Sequence, residues 1–212
     1  MAAEYLALVM KVESFVAQVG ARRASDLACK KGCDACCHAW LSVSEVEAEQ
    51  VQAGLAALDP EQRERVRFRG EQELAREREL ASEQEPSEPA RCALLEDDGS
   101  CAIYAFRPLV CRTQGHALRY PAGFIPEQAV RLRGKSRSPE GVPGPTPSAA
   151  GEPATSEVTW CPLNYTAAAP RSEDVLDAER VDQILALIAL RHAPSPEAAQ
   201  ARTSLSELAA SR

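Results

Sequence analysis

Tyr5, Leu8, Val9, Val12, Val16 and Val19 recur at the three-to-four-residue spacing of one helix face, and Gly20 follows as a stop signal. The pattern predicts an amphipathic helix over 3–19 that packs on the body of the protein. Ser44, with Glu47 three residues on, forms a capping box and opens a helix with Val46, Val51, Leu55 and Leu58 on one side. Asp59-Pro60 opens the next helix: Asp59 is its N-cap, Pro60 occupies the first turn and Gln62 closes the box. That helix runs to about Ala81 and interleaves arginine with glutamate, so it reads as solvated and laced with intrahelical ion pairs. Further on, Ser172 caps a helix with Val181, Ile184, Leu185 and Ile188 as its buried face. Glu173, Asp174 and Asp177 lie near its positive end, Arg191 and His192 near its negative end, and Pro194 stops it. Ser195-Pro196-Glu197 begins a last short helix.

Between the helices the pattern changes. Asp98-Gly99 lies between apolar runs and predicts a β-hairpin. Arg107-Pro108-Leu-Val-Cys111 reads as the first turn of a short helix. Residues 82–89 are a Glu/Pro/Ser linker, and residues 134–157 lack periodicity and are rich in Pro, Gly and Ser, as a disordered insertion would be. The expected organisation is an N-terminal amphipathic helix (1–26), a cysteine-bearing domain (27–165) and C-terminal helices packing on it (166–212). The fold class is α+β, mostly helical, with a small β-hairpin and an irregular, metal-organised centre.

Composition narrows the function. The 212 residues carry a net charge of −7 and a pI near 5.2, which argues against binding nucleic acid over a broad surface. The arginines at 63, 65, 67 and 69 do not alter this, because the interleaved glutamates cancel them; a protein partner for helix 60–81 stays open. No apolar run approaches the ~20 residues of a membrane span. The N-terminus has no basic segment or small-residue cleavage site and Lys11 breaks its apolar stretch, so the chain is expected in the cytoplasm, with reduced thiols.

In that setting the eight cysteines carry the chemistry. Cys29, Cys33, Cys36 and Cys37 fall within nine residues, and Cys92, Cys101, Cys111 and Cys161 follow downstream. All lie in loops, a hairpin or a helix start. The Cys33-x-x-Cys36 spacing lets two thiolates reach one ion. Four thiolates on a divalent ion leave net negative charge, and Lys30, Lys31, Arg91 and Arg112 are the basic neighbours in sequence. Adjacent side chains in an extended segment point opposite ways, so Cys36 and Cys37 serve two sites, or the chain turns between them, or one is redox-active. A two-residue Asp98-Gly99 turn would set Cys101 opposite Glu96 and leave Cys92 roughly 13 Å further along, in a different site unless the hairpin bends. Eight ligands suit two centres or one polynuclear centre better than a single ion.

Cys29 to Cys37, then Cys92-x8-Cys101-x-Ile-Tyr-x-x-Arg107-Pro108-x-x-Cys111-Arg112, then Trp160-Cys161-Pro162-Leu163-Asn164, resemble the YkgJ-type CxxCxxCC cysteine-cluster family. The resemblance covers roughly residues 27–165; the first cysteine gap is three residues here rather than the two of the family's pattern. It implies chelation of zinc or iron, and members of the same cysteine cluster called flagellin lysine methylases leave the reaction open. Zinc would make a closed, structural tetrahedral site. Iron would make an iron–sulfur cluster, including a 4Fe–4S cluster, and Cys161-Pro162 matches the Cys-Pro ending of many cluster motifs. His116 and His38 are further candidate ligands, while His192 reads as a helix-terminal charge partner. An iron-dependent redox or modification enzyme is the alternative function, and a Cys33-x-x-Cys36 thiol oxidoreductase a third.

Overall fold

The computed structural model describes residues 3–81, 90–123 and 156–211. The linker 82–89 and residues 134–155 of the expected insertion lie outside the described residues. The chain is mostly helical α+β and forms two compact units interleaved in sequence. One comprises Met1–Leu6, Lys30–Cys111 and Ala186–Arg212; the other comprises Ala7–Cys29 and Arg112–Leu185.

In the first unit, strand β1 (Ser42–Ser44) leads into helix α2 (Glu45–Ala56), and α3 (Pro60–Ala81) follows. (Helix α1 is Ala3–Arg22.) The expected capping groups are in place: Ser44 N and Oγ lie 3.1 and 2.9 Å from Glu47 Oε2, and Gln62 N donates to Asp59 Oδ1 at 2.8 Å. Glu47 also does something no local pattern signals. Its Oε1 accepts from Leu109 N at 3.1 Å, satisfying an N–H in the first turn of α4 (Leu109–Thr113).

Helix α3 is not solvated all round. Val66, Gly70 and Glu73 form a buried strip, and α7 (Leu205–Ala210) lies against Gly70 so closely that a Cβ there would come within 2.6 Å of Ala210 N. The remaining faces carry the expected ladders, Glu61–Arg65, Glu64–Arg67 and Arg67–Glu71. The apolar core of this unit joins Val43, Val51, Val66, Leu94, Ile103 and Leu208. β5 (Arg202–Ser204) pairs antiparallel with β1, Val43 opposite Thr203, after the short helix α6 (Pro196–Gln200).

The second unit holds a three-stranded sheet. β2 (Ala117–Pro121) is central, antiparallel to β3 (Ser156–Thr159) and parallel to β4 (Val175–Asp177). Ser156 and Glu157, expected at the end of the insertion, are therefore strand residues. The helix expected from Ser172 begins only at Ala178: Ser172–Asp174 is a 3-10 turn, β4 intervenes, and Asp177 caps α5 (Ala178–His192) by accepting from Arg180 N at 3.0 Å. Ile184 of its expected buried face is 38% exposed, whereas Leu185, Ile188 and Ala189 are buried. Gly20 likewise lies within α1 rather than ending it. Among the described residues no helix is long and apolar enough to cross a membrane.

Candidate metal centre

Six cysteines lie in the first unit and two, Cys29 and Cys161, in the second. The loop that carries Cys33, Cys36 and Cys37 is built from two tight turns. Cys33 N donates to Lys30 O at 3.0 Å and Cys37 N to Asp34 O at 2.7 Å, with Gly32 at φ +89°. The second turn means that the chain is not extended between Cys36 and Cys37 but bends there, one of the alternatives for the pair.

This loop is bound to the hairpin. Cys92 N donates to Cys37 O at 2.7 Å, and a Cβ on Gly99 would stand 3.0 Å from Gly32 O. The hairpin's register differs from the two-residue turn expected. Leu95, not Glu96, lies opposite Cys101, leaving a three-residue loop with Gly99 left-handed at φ +78°. A turn closed by Leu95 N to Cys92 O (3.0 Å) bends the chain at once, and Tyr104 N to Cys101 O (3.2 Å) bends the other arm. The ~13 Å separation of Cys92 and Cys101 presumes a regular ladder, and neither arm continues as one past these bends.

Their electrostatics show the result. Burial pushes the Cys92 thiol up to about 12, and the charges that Cys101 and Cys36 would carry add to this. Cys111 is raised well above the ordinary thiol value by burial, then by Cys92, Cys36 and Cys101. Cys36 is raised first by its hydrogen bond with Cys37 and then by burial, and Cys101 by burial. Four thiols from three chain segments thus oppose one another's ionisation.

A cation that sequence adjacency did not single out acts on these thiols. Arg91 pairs with Asp97 at 3.2 Å, and Arg112 pairs with Glu13 in the second unit. Arg107 is the one whose charge favours the thiolates of Cys36, Cys101 and Cys111. It is held by a 3.0 Å bond from Nε to Tyr104 O and by stacking 3.6 Å over the Tyr104 ring. Its role depends on how the 3-10 turn at Tyr104–Phe106 folds, so sequence adjacency to a cysteine missed it.

In the second unit Cys29 and Cys161 meet around Gly115. A Cβ there, at φ +95°, would lie 2.6 Å from Cys29 Sγ and 3.7 Å from Cys161 Cβ. Asn164, 1% exposed, ties the segments together. Its Oδ1 accepts from Ala28 N at 2.7 Å, and its Nδ2 donates to Gly115 O at 2.7 Å and Cys29 Sγ at 3.1 Å. His116 is buried in this unit, its Nδ1 has no partner, and burial holds its imidazole neutral by lowering its pKa. His38 lies exposed in the first unit, 3.3 Å from Asp34 Oδ2, and His192 pairs with Glu4 at 3.1 Å.

Among the described residues no three His, Cys, Asp or Glu side chains are gathered in a group that could hold a metal ion. The donor set nevertheless suits one: soft sulfur ligands, partly buried, with their charge opposed by one another and by burial. No curated protein and no solved structure matches the chain. Residues 28–133, half of the chain and seven of its eight cysteines, match the family described as "CxxCxxCC: Putative zinc- or iron-chelating domain". The chain therefore belongs to the CxxCxxCC family, in which a cysteine cluster is associated with zinc or iron.

Proposed function

We propose that this protein holds zinc or iron through cysteine thiolates in two places. In the first unit the ligands come from Cys36, Cys92, Cys101 and Cys111, with Cys33 and Cys37 flanking them. In the second they include Cys29 and Cys161, with His116 as an imidazole donor. The observation that carries the reading is the bond from Cys92 N to Cys37 O at 2.7 Å, which joins the cysteine loop to the hairpin, where the thiols of Cys36, Cys92, Cys101 and Cys111 oppose one another's ionisation. A cation among them reverses the sign of that field, because a coordinating thiol is deprotonated outright. Arg107 then offsets part of the net negative charge of a four-thiolate centre. Coordination requires the thiols to turn toward a common point. A reducing compartment such as the cytoplasm suits thiols that must stay unoxidised.

The test is anaerobic purification followed by elemental analysis and a visible spectrum. Zinc without colour identifies a structural centre, and iron with sulfide and visible charge-transfer bands identifies a cluster. Serine substitutions at Cys36, Cys92, Cys101 and Cys111 should remove one common fraction of the metal. Cys29→Ser and Cys161→Ser should remove another. Full metal retention with normal folding in all six variants refutes the assignment.

A further inference from the structure

We infer that Asn164 is a positioning residue for Cys29: its Nδ2 donates to the Cys29 sulfur and fixes where that sulfur points as a metal ligand. The inference rests on the chelation reading and adds to it a residue that touches the ligand rather than the ion. An asparagine amide is planar and offers two N–H donors and one carbonyl acceptor. Here the carbonyl accepts from Ala28 N at 2.7 Å and one donor goes to Gly115 O at 2.7 Å. Those two backbone partners fix the amide plane, and the plane directs the Nδ2 donor to Cys29 Sγ at 3.1 Å. The bond runs from a fully buried donor to a residue on the exposed side of the unit.

Gly115 lies on the same flank of the sulfur as the amide: a Cβ there would stand 2.6 Å from Cys29 Sγ and 3.4 Å from Asn164 Nδ2. The sulfur thus meets the aimed N–H beside a glycine that leaves both of them room. Cys161 is part of the same frame, since Cys161 N donates to Gly115 O at 3.2 Å and Asn164 N to Cys161 O at 2.9 Å. A hydrogen bond to an ionised acceptor is about twice as strong as a neutral one, so the contact strengthens when Cys29 is a metal-bound thiolate. Partners of this kind set ligand orientation, and their loss typically costs ~10–100-fold in metal affinity.

The test uses the full chain, stripped of metal and titrated anaerobically with cobalt(II), whose thiolate charge-transfer band reports sulfur ligation. Four proteins are compared: wild type, Asn164→Asp, Cys29→Ser and the double variant. Asn164→Asp keeps the acceptor for Ala28 N and loses both Nδ2 bonds, to Gly115 O and to sulfur. It should weaken one class of cobalt site ~10–100-fold and shift its charge-transfer band, and have a much smaller effect once Cys29 is serine, where only the bond to Gly115 O is left to lose. An equal loss in the Cys29→Ser background means Asn164 only braces the backbone, and overturns the inference while leaving chelation intact. No thiolate–cobalt band in the wild type overturns both. A second measurement needs no variant. In the protein loaded with cadmium-113, a side-chain amide proton of Asn164 should show scalar coupling to the metal through the hydrogen bond. A cadmium-loaded protein without that coupling overturns the inference.

Discussion

Two glycines adopt the same left-handed backbone and differ in what surrounds them, which allows steric crowding at the sulfur to be isolated. Gly32 (φ +89°) has nothing within 4 Å of an added Cβ, whereas at Gly115 (φ +95°) that atom would be 2.6 Å from Cys29 Sγ. Alanine at either position costs ~1–2 kcal/mol for the left-handed conformation. At Gly115 there is more. Reaching an ordinary contact of 3.4 Å demands that sulfur and backbone part by about 0.8 Å. Overpacking of that kind costs ~1–3 kcal/mol. Gly115→Ala should therefore lose about 2–5 kcal/mol and Gly32→Ala about 1–2, measured by urea unfolding. Metal bonds tolerate only about ±0.2 Å, so Gly115→Ala should also lose metal by elemental analysis while Gly32→Ala keeps it. Equal losses of stability in the two variants, or full metal content in Gly115→Ala, would refute the reasoning.

Three further outcomes follow from the packing. Gly70→Ala gains ~1 kcal/mol of helix propensity, yet the Cβ would strike the α7 backbone, so overpacking of ~1–3 kcal/mol should prevail; a more stable variant in denaturant titration contradicts this. Glu73 is 4% exposed, accepts from Trp40 Nε1 (3.0 Å) and Arg91 N (3.2 Å), and pairs with Arg76, so Glu73→Ala should cost ~3–5 kcal/mol; a loss below ~1 kcal/mol would show those groups rehydrate. Burial alone would raise the Asp174 carboxyl, but hydrogen bonds from Arg23, Arg171 N and Arg22 outweigh it and hold the pKa below the ordinary aspartate value. A depressed folded pKa contributes stability that is present above the unfolded value, about 4, and lost as pH falls through the folded one. Urea midpoints of the wild type should decline below about pH 4, and Asp174→Asn should lack that part of the decline; identical pH profiles would sink the idea.

What was legible in the sequence is mostly what is short-range. Asp59-Pro60 and Ser44-x-x-Glu47 cap their helices as expected because both partners of each bond lie within one turn. The cysteine pattern and the Arg107-Pro108-x-x-Cys111 element were enough to identify the family. The same locality explains the misses. The hairpin was found but its register slipped by one residue, since a turn of two or three residues is chosen by how the flanking arms pair. Of the buried residues Val66, Gly70 and Glu73 on α3, Val66 alone is a large apolar one; Gly70 is covered by α7 and Glu73 is held by Trp40, Arg76 and Arg91, and neither advertises burial. In the β3-β2-β4 sheet, β2 pairs with β4 from over fifty residues further along the chain, a pairing that no periodicity within one strand specifies.

By itself the sequence determined the main helices, the helix starts at Glu45 and Pro60, and the identity of the thiols, all set by side-chain spacing and local backbone chemistry. Only the tertiary structure decided that Cys36, Cys92, Cys101 and Cys111 share one electrostatic environment and that Cys29 and Cys161 meet at Gly115. It also decided that Arg107 and Asn164 attend the sulfurs. The physical reason is that charge and hydrogen bonding act over a few ångströms of space, and chain folding, not chain order, sets those distances.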